Sequence, residues 1–406
     1  MLLDYVPEEL LKNEMIKKDW FLQNIQIVDG WAGGEMQVSF KEAAASSFAY
    51  GQLTDENDVG ESVLVRGIVP GHKYVSATMK INERDLREHG GSSKISKQSF
   101  LKILPDEIND HVQAFKEIFS HNLLNGKKLA KATASGDATG VLKIDRPERL
   151  MVGMKLEIRD TAGAVEVGYI SEQSLPTLEV KFVTTRGGTT PVDLSGFTMA
   201  NFPYVVIPGA EDKAFASLKE LLLPASVGGT TTVFGKSKSV YSYLQSHAEN
   251  GSTITATNII GKIFDAYTNH RRFYKGNAQK VVMSFKNFAA CMKQLESSKG
   301  AFNVVPGSRK TDLYGYDQAT IHGVGGGLLE FVACQEMDDD CIMLLDMSTM
   351  KFHTNGLIRR IKSPDGLEYY TRRGVNGYVH FLDHECYGEF VLNKPQGNAI
   401  IHSINF

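Results

Sequence analysis

Only four cysteines, Cys291, Cys334, Cys341 and Cys386, occur among 406 residues, and no two form a CxxC pair. That rules out a zinc set built from paired cysteines and makes a disulfide framework a poor fit for so long a chain. An excess of basic charge is also missing. Lys and Arg number 44 against 47 Asp and Glu, for a net charge of −3, which argues against a nucleic-acid binder working through a basic face. No apolar run reaches the roughly 18–20 residues a bilayer-spanning helix needs. The opening "MLLDYVPEEL" carries acids and a proline where a secretory signal has positive charge and an unbroken apolar stretch. The expectation is a protein made and kept, at least initially, in a cytoplasm, with no membrane partner. Internal repeats and low-complexity tracts are absent too.

What is present is an ordinary hydrophobic share of 42% over a length that calls for more than one module. Residues 1–35, with Pro7, Trp20 and Trp31, fit either an arm lying on another surface or a first helix from Pro7 to Phe21. From Met36 to Asp85 "MQVSF" alternates, "TDENDVGE" makes an acidic turn, and "SVLVRGIVPGHKYVSATMKI" reads as extended chain. This is a hairpin with long arms. At about 3.3 Å per residue, an arm of roughly 15 residues reaches about 50 Å. A small domain is only about 30 Å across. Such a hairpin needs an outside surface, and a neighbouring copy is the simplest one.

The clearest helix comes next. Ile108, Val112, Phe115, Phe119 and Leu123 recur at helical spacing, Pro105, Asp106 and Glu107 suit its start, and Gly126 its stop. Residues 141–207 read as a separate small β module, a barrel or sandwich of short strands ("VLKI", "KLEIR", "EVGYI", "LEVKFV"). Beyond it lies mixed α and β structure. A helix carries Ile259, Ile260, Ile263, Phe264 and Tyr267 on one face, with threonine caps and His270, Arg271 and Arg272 at its negative end. "KVVMSF" reads as a strand followed by a helix capped by Ser284. The whole reads as α+β.

Four stretches invite chemistry. "GGTTTVFGKS" resembles a phosphate loop, but Gly229 precedes Gly235 by one residue too many, and no helix pattern follows Lys236 and Ser237. "GVGGG" (Gly323 to Gly327) runs into an apolar strand and lacks the helix N-terminus that would hold a pyrophosphate. His380, His384 and Glu385 sit among β-formers, where residues four apart stand about 13 Å apart, too far for one zinc. "CQEMDDDCIMLLD" reads as strand, acidic turn, strand, with Cys334 and Cys341 facing each other across a solvated turn. No catalytic residue, cofactor site or metal site emerges, and the expectation is a protein that is not an enzyme. The dipeptides Arg271–Arg272, Arg359–Arg360 and Arg372–Arg373 suit inter-subunit salt bridges better than DNA. A hairpin turning at Ser363 to Gly366 would bring the last two pairs together.

Taken in order, the long hairpin, the amphipathic helix, the inserted β module and the mixed second half resemble the major capsid proteins of tailed bacteriophages, with the Hong Kong 97-like fold. The stretches that carry the resemblance are "MDDDCIMLLDMSTMKFHTNG", "GEFVLNKPQGNAIIHSI" and "KVVMSFKNFAACMKQLE" followed by "YGYDQATIHGV". The resemblance implies an N-terminal arm (1–35), an extended loop (36–88), a peripheral domain with its spine helix (89–140 and 208–224), an inserted domain (141–207), an apical domain (225–375) and return strands to the peripheral domain (376–406). It further implies self-assembly as hexamers and pentamers into an icosahedral virion shell enclosing double-stranded DNA without sequence-specific binding. Assembly would occur in a bacterial host's cytoplasm, with a separate scaffolding protein, a portal and decoration proteins as partners. In that setting the acidic tip, Asp55, Glu56 and Asp58, would meet one of the arginine pairs of a neighbour. The alternatives are the shell of an encapsulin-like compartment, or a nucleotide-binding enzyme using Lys236 and Ser237.

Overall fold

The computed structural model describes residues 20–31, 34–43, 63–69, 71, 73–82, 113–297, 305–306, 318–322, 328–357, 359–360, 370–374 and 377–406. The acidic tip (Asp55, Glu56, Asp58), the helix start (Pro105 to Val112) and "GVGGG" fall outside them. The architecture is α+β and divides into two compact units. One comprises Lys73–Ser217 with Leu357–Tyr387, the other Asp19–His72, Leu218–Gly356 and Gly388–Phe406.

In the first unit the 113–125 helix buries Phe115, Phe119 and Leu123, as its spacing predicts. It also buries polar groups on its other faces: Lys116, Ser120, His121, Asn122 and Asn125. Its last turns, 119–125, are buried on every side, so polar groups there need partners within the protein. His121 Nε2 lies 2.8 Å from the Lys128 carbonyl, and Asn125 Nδ2 lies 3.0 Å from His121 Nδ1. Phe119 meets the edge of Phe215 at 5.5 Å.

The chain then enters the small β module. Its six strands run in the order Lys128–Lys131, Tyr204–Val206, Lys155–Arg159, Val165–Ser174, Glu179–Val183 and Val141–Lys143. The two outer strands meet through the Ala132–Ile144 bridge and the Thr133 N–H to Lys143 carbonyl bond (2.9 Å), so the sheet closes on itself. Inward positions are fully buried, among them Leu142, Leu156, Ile158, Ile170, Val180 and Phe182. The module takes its first strand from Lys128, ahead of the boundary read at 141. "KLAK" is too short and too charged to announce a strand without its partner Tyr204–Val206.

The second unit centres on a seven-stranded mixed sheet ordered His247–Asn250, Ala399–His402, Cys341–Leu345, Lys280–Met283, Leu328–Ala333, Gln318–His322 and Val305–Pro306. Helices Ile259–Tyr274 and Phe285–Ser297 pack on it through Ile259, Ile263, Tyr267, Phe288 and Cys291. Two expectations are corrected here. The final strand does not return to the peripheral region but completes this sheet, because all four residues of "AIIH" are buried between strands on either side. Threonines do not cap the 259–274 helix. Asn258 holds the N-cap position with its carboxamide turned back to the Thr255 N–H (2.8 Å), while the first-turn N–H of Ile260 is satisfied by Gln294 (2.9 Å).

Candidate assembly elements

The long extended stretch is two strands rather than one hairpin arm. Met36–Ala43 pairs with Val63–Val69 in a two-stranded sheet, whereas Lys73–Asn82 pairs with the strand Gly377–Leu392. The break falls between Val69 and Lys73, where Gly71 takes φ 107° and the proline of "VPG" has no N–H to give a ladder. Among the described residues the paired stretch of each arm spans roughly 25 Å.

The base of this hairpin is held by the segment that resembled a phosphate loop. Thr232–Val233 and Lys236–Ser237 form a tight hairpin whose two turn residues, Phe234 (φ 48°) and Gly235 (φ 76°), both have positive φ. A two-residue turn of this hand favours Asn-Gly, and a bulky residue in the left-handed region costs about 1–2 kcal/mol. Contacts offset that cost for Phe234. Its ring stacks on Phe40 at 6.1 Å with 12° between planes, and its carbonyl accepts the Ile68 N–H at 2.9 Å. Gly67 is required at this crossing, since a Cβ there would lie 2.7 Å from the Phe40 ring and 3.0 Å from Phe234 Cβ. Lys236 and Ser237 thus sit in a strand, not in a loop opening a helix. The next residue, Lys238, is buried with its ammonium donating to the Leu221 (2.6 Å) and Leu223 (2.9 Å) carbonyls at the end of the Leu218–Leu222 helix. Burial pushes its pKa down to about 8.

The triple aspartate is not a solvated hairpin turn. Lys280–Met283 inserts between Leu328–Ala333 and Cys341–Leu345, so Cys334 and Cys341 do not face each other across adjacent strands. Instead the turn receives a buried lysine. Lys219 Nζ lies 2.9 Å from Asp338 Oδ2 and 2.6 Å from Asp340 Oδ1. Asn287 donates to the Asp339 carbonyl (3.0 Å), and the Ile404 N–H to that of Asp340 (3.0 Å). Burial would lower the Lys219 pKa, but Cys341, Asp338 and Asp340 together reverse this and hold it well above its ordinary value. Among the described residues no group of His, Cys, Asp and Glu is arranged to hold a metal ion. All four cysteines are buried thiols, with Cys291 pushed up to about 12 and Cys386 well above its usual range by desolvation. Such thiols are inert.

The arginine candidates separate. Arg271 reaches back to the Tyr267 hydroxyl at 3.1 Å, within its own helix. Arg272 is exposed and lies 5.1 Å from the Phe273 ring, itself 63% exposed. Arg359–Arg360 and Tyr370–Gly374 both pair with the long strand and not with each other. Arg360 opposes His384, while Arg372 opposes Val379. The expected turn at Ser363–Gly366 lies outside the described residues, and five positions along the long strand separate the two pairs by roughly 16 Å. "YTRRG" pairs locally with "GYVHF". His380 and His384 lie in the strand, as their β-forming neighbours predict.

No protein-family profile matches the chain, and no curated protein matches it. Among solved structures it is similar to the cyanophage A-1(L) capsid asymmetric unit (11% identity, 94% of this chain and 91% of that one, TM-score 0.47). Similarity extends to the capsid of a native GTA particle (10%, 94% and 89%, 0.45) and to a satellite phage P4 procapsid that includes its size determination protein (12%, 98% and 99%, 0.41).

Proposed function

We propose that the chain is a non-enzymatic shell protein, many copies of which assemble as hexamers and pentamers into an icosahedral phage head around double-stranded DNA. The observation that carries this is the Met36–Ala43/Val63–Val69 hairpin. It is anchored at its base by Phe40 and Phe234, has no third strand among the described residues, and leads into the acidic segment 44–62. A two-stranded ribbon is marginal alone and becomes stable when a face is covered. A sibling subunit supplies that cover, and many weak contacts in a closed lattice reinforce one another. The order of elements supports the same reading: hairpin, buried helix, closed β module, mixed sheet. The module would be the inserted domain, and scaffolding, portal and decoration proteins would be further partners.

The test is particle formation, followed by electron microscopy and sedimentation of the expressed chain, alone and with a scaffold from the same genome. Reversing Asp55, Glu56 and Asp58 to lysine is expected to abolish particles while the subunit still folds. Unchanged particle yield would reject the contact. Particles that enclose an enzyme and no DNA would favour the compartment reading.

A further inference from the structure

The C-terminal end of the Ile259–Tyr274 helix presents positive charge and an apolar ring to solvent. Arg272, Phe273 and Lys275 are all exposed. Arg272 lies over the Phe273 ring, and neither it nor Lys275 forms an ion pair among the described residues. The acids around this end are engaged or distant. Asp346, within electrostatic reach of His270, accepts from the Ser348 N–H (3.1 Å) and hydroxyl (2.6 Å). Glu249 lies 3.6 Å from His247. Asp265 stands two turns back on the same helix face as Arg272, about 10 Å along the axis, which is the screening distance at ordinary ionic strength. Lys394, exposed and also within reach of His270, adds to the positive side. Cations suit the negative end of a helix, but that role does not account for an aromatic ring left in solvent beside them. Arginine and aromatic rings together are the side chains enriched where proteins meet.

We propose that this helix end receives the acidic segment of a second copy, with carboxylates between Asp55 and Glu61 meeting Arg272 and Lys275 and an aromatic ring of the same segment lying on Phe273. Charge complementarity selects this occupant. Asp55, Glu56, Asp58 and Glu61 place four carboxylates in seven residues, and no lysine or arginine occurs between Lys41 and Arg66. The segment also brings the rings, Phe48 and Tyr50, shortly before those acids. The inference rests on the shell reading for the presence of a second copy, and it deepens that reading. Of the three arginine pairs it assigns one as the receptor of the acidic tip, and it adds Phe273 and Lys275, which the sequence did not single out.

The experiment is a titration of a fluorescently labelled peptide of residues 46–62 with the soluble full-length chain, read by anisotropy, alongside particle yield. Saturable binding is expected. It should weaken at least tenfold in the double variant Arg272→Glu, Lys275→Glu and at least threefold with Phe273→Ala. It should stay within twofold with Lys293→Glu, a charge reversal at an exposed lysine of the Phe285–Ser297 helix. A peptide with Asp55, Glu56 and Asp58 changed to lysine should bind the double variant better than the native chain. In assembly, the double variant should lose at least tenfold in particle yield, and adding the three lysine changes to the same chain should restore it. Arg272→Gln with Lys275→Gln, a milder change, covers the case in which the reversal disturbs folding, and circular dichroism checks both. Equal binding of a scrambled peptide, binding unmoved by the double reversal, or duplex DNA bound through these residues in place of the peptide overturns the proposal. Particles formed at full yield by the double variant would also overturn it while leaving the shell reading intact. A native chain that never assembles would sink the shell reading, and the peptide titration would still decide the helix end.

Discussion

Removing the Lys219 ammonium is the sharpest test of the acidic turn. In Lys219→Met, Asp338 and Asp340 lose the cation that sits 2.9 and 2.6 Å from them, while their side chains keep only 15% and 33% exposure. Breaking a buried pair by deleting one partner costs about 3–5 kcal/mol, because the remaining charge is uncompensated. Partial exposure of both carboxylates places the expectation near the lower end, about 3 kcal/mol, a large fraction of a typical domain's stability. The dependence on pH has a definite sign. Lys219 is held above its ordinary pKa, so its contribution is complete below about 10.5 and fades only as pH rises through the higher folded value. In the variant the penalty should shrink as pH falls toward about 4, where carboxylates ordinarily protonate. The measurement is urea unfolding of unassembled subunits at pH 7.5 and pH 4.5. The triple variant Lys219→Met, Asp338→Asn, Asp340→Asn should recover most of the loss. A single-variant cost below about 1 kcal/mol, the value of an exposed pair, or a triple variant no better than the single, would refute the reasoning.

Burial depresses His270 to about 4, assisted by the stacked His247 ring at 6.5 Å. Its neutral form is favoured in the fold, so stability should fall as pH drops from about 6.5 through 4, with a slope up to about 1.4 kcal/mol per unit. His270→Gln should flatten that part of a urea-midpoint profile. Lys238, depressed to about 8, has the alkaline counterpart: stability should rise from pH 8 toward 10.5. Lys238→Met should remove the rise and leave two helix-end carbonyls without their donor, seen as a lower unfolding midpoint at pH 7. Gly67→Val inserts atoms against Phe40 and Phe234, and overpacking of this kind costs about 1–3 kcal/mol. It should accelerate amide exchange across Val63–Val69 while exchange in the β module stays unchanged.

Elements whose signal is local were legible in the residues. The 259–274 helix follows from apolar spacing, the β module from short strands punctuated by glycine and charge, and the extended chain around His380 and His384 from its β-forming neighbours. The long hairpin was half legible. Alternation marks extended chain, but it does not say that the "VPG" step at 69–71 hands the chain from one sheet to another. The acidic turn was misjudged for a related reason. Its flanking strands are close in sequence, yet Lys280–Met283 separates them in the sheet. Lys219 could not be found from the turn, since 119 and 121 positions separate it from its two aspartates. One signal was there to read: a lysine in the apolar run "LKELLL" invites the question of where its charge goes.

Composition and periodicity dictated an α+β protein of several modules, because side-chain alternation and helical spacing are local consequences of backbone geometry. Strand order, the closure of the β module and the clasp of Phe234 on Phe40 were settled only by the folded chain. Every strand edge offers the same N–H and C=O groups, so pairing is chosen by which faces can be buried together. A buried charge, likewise, selects its partner by distance in space and not along the chain.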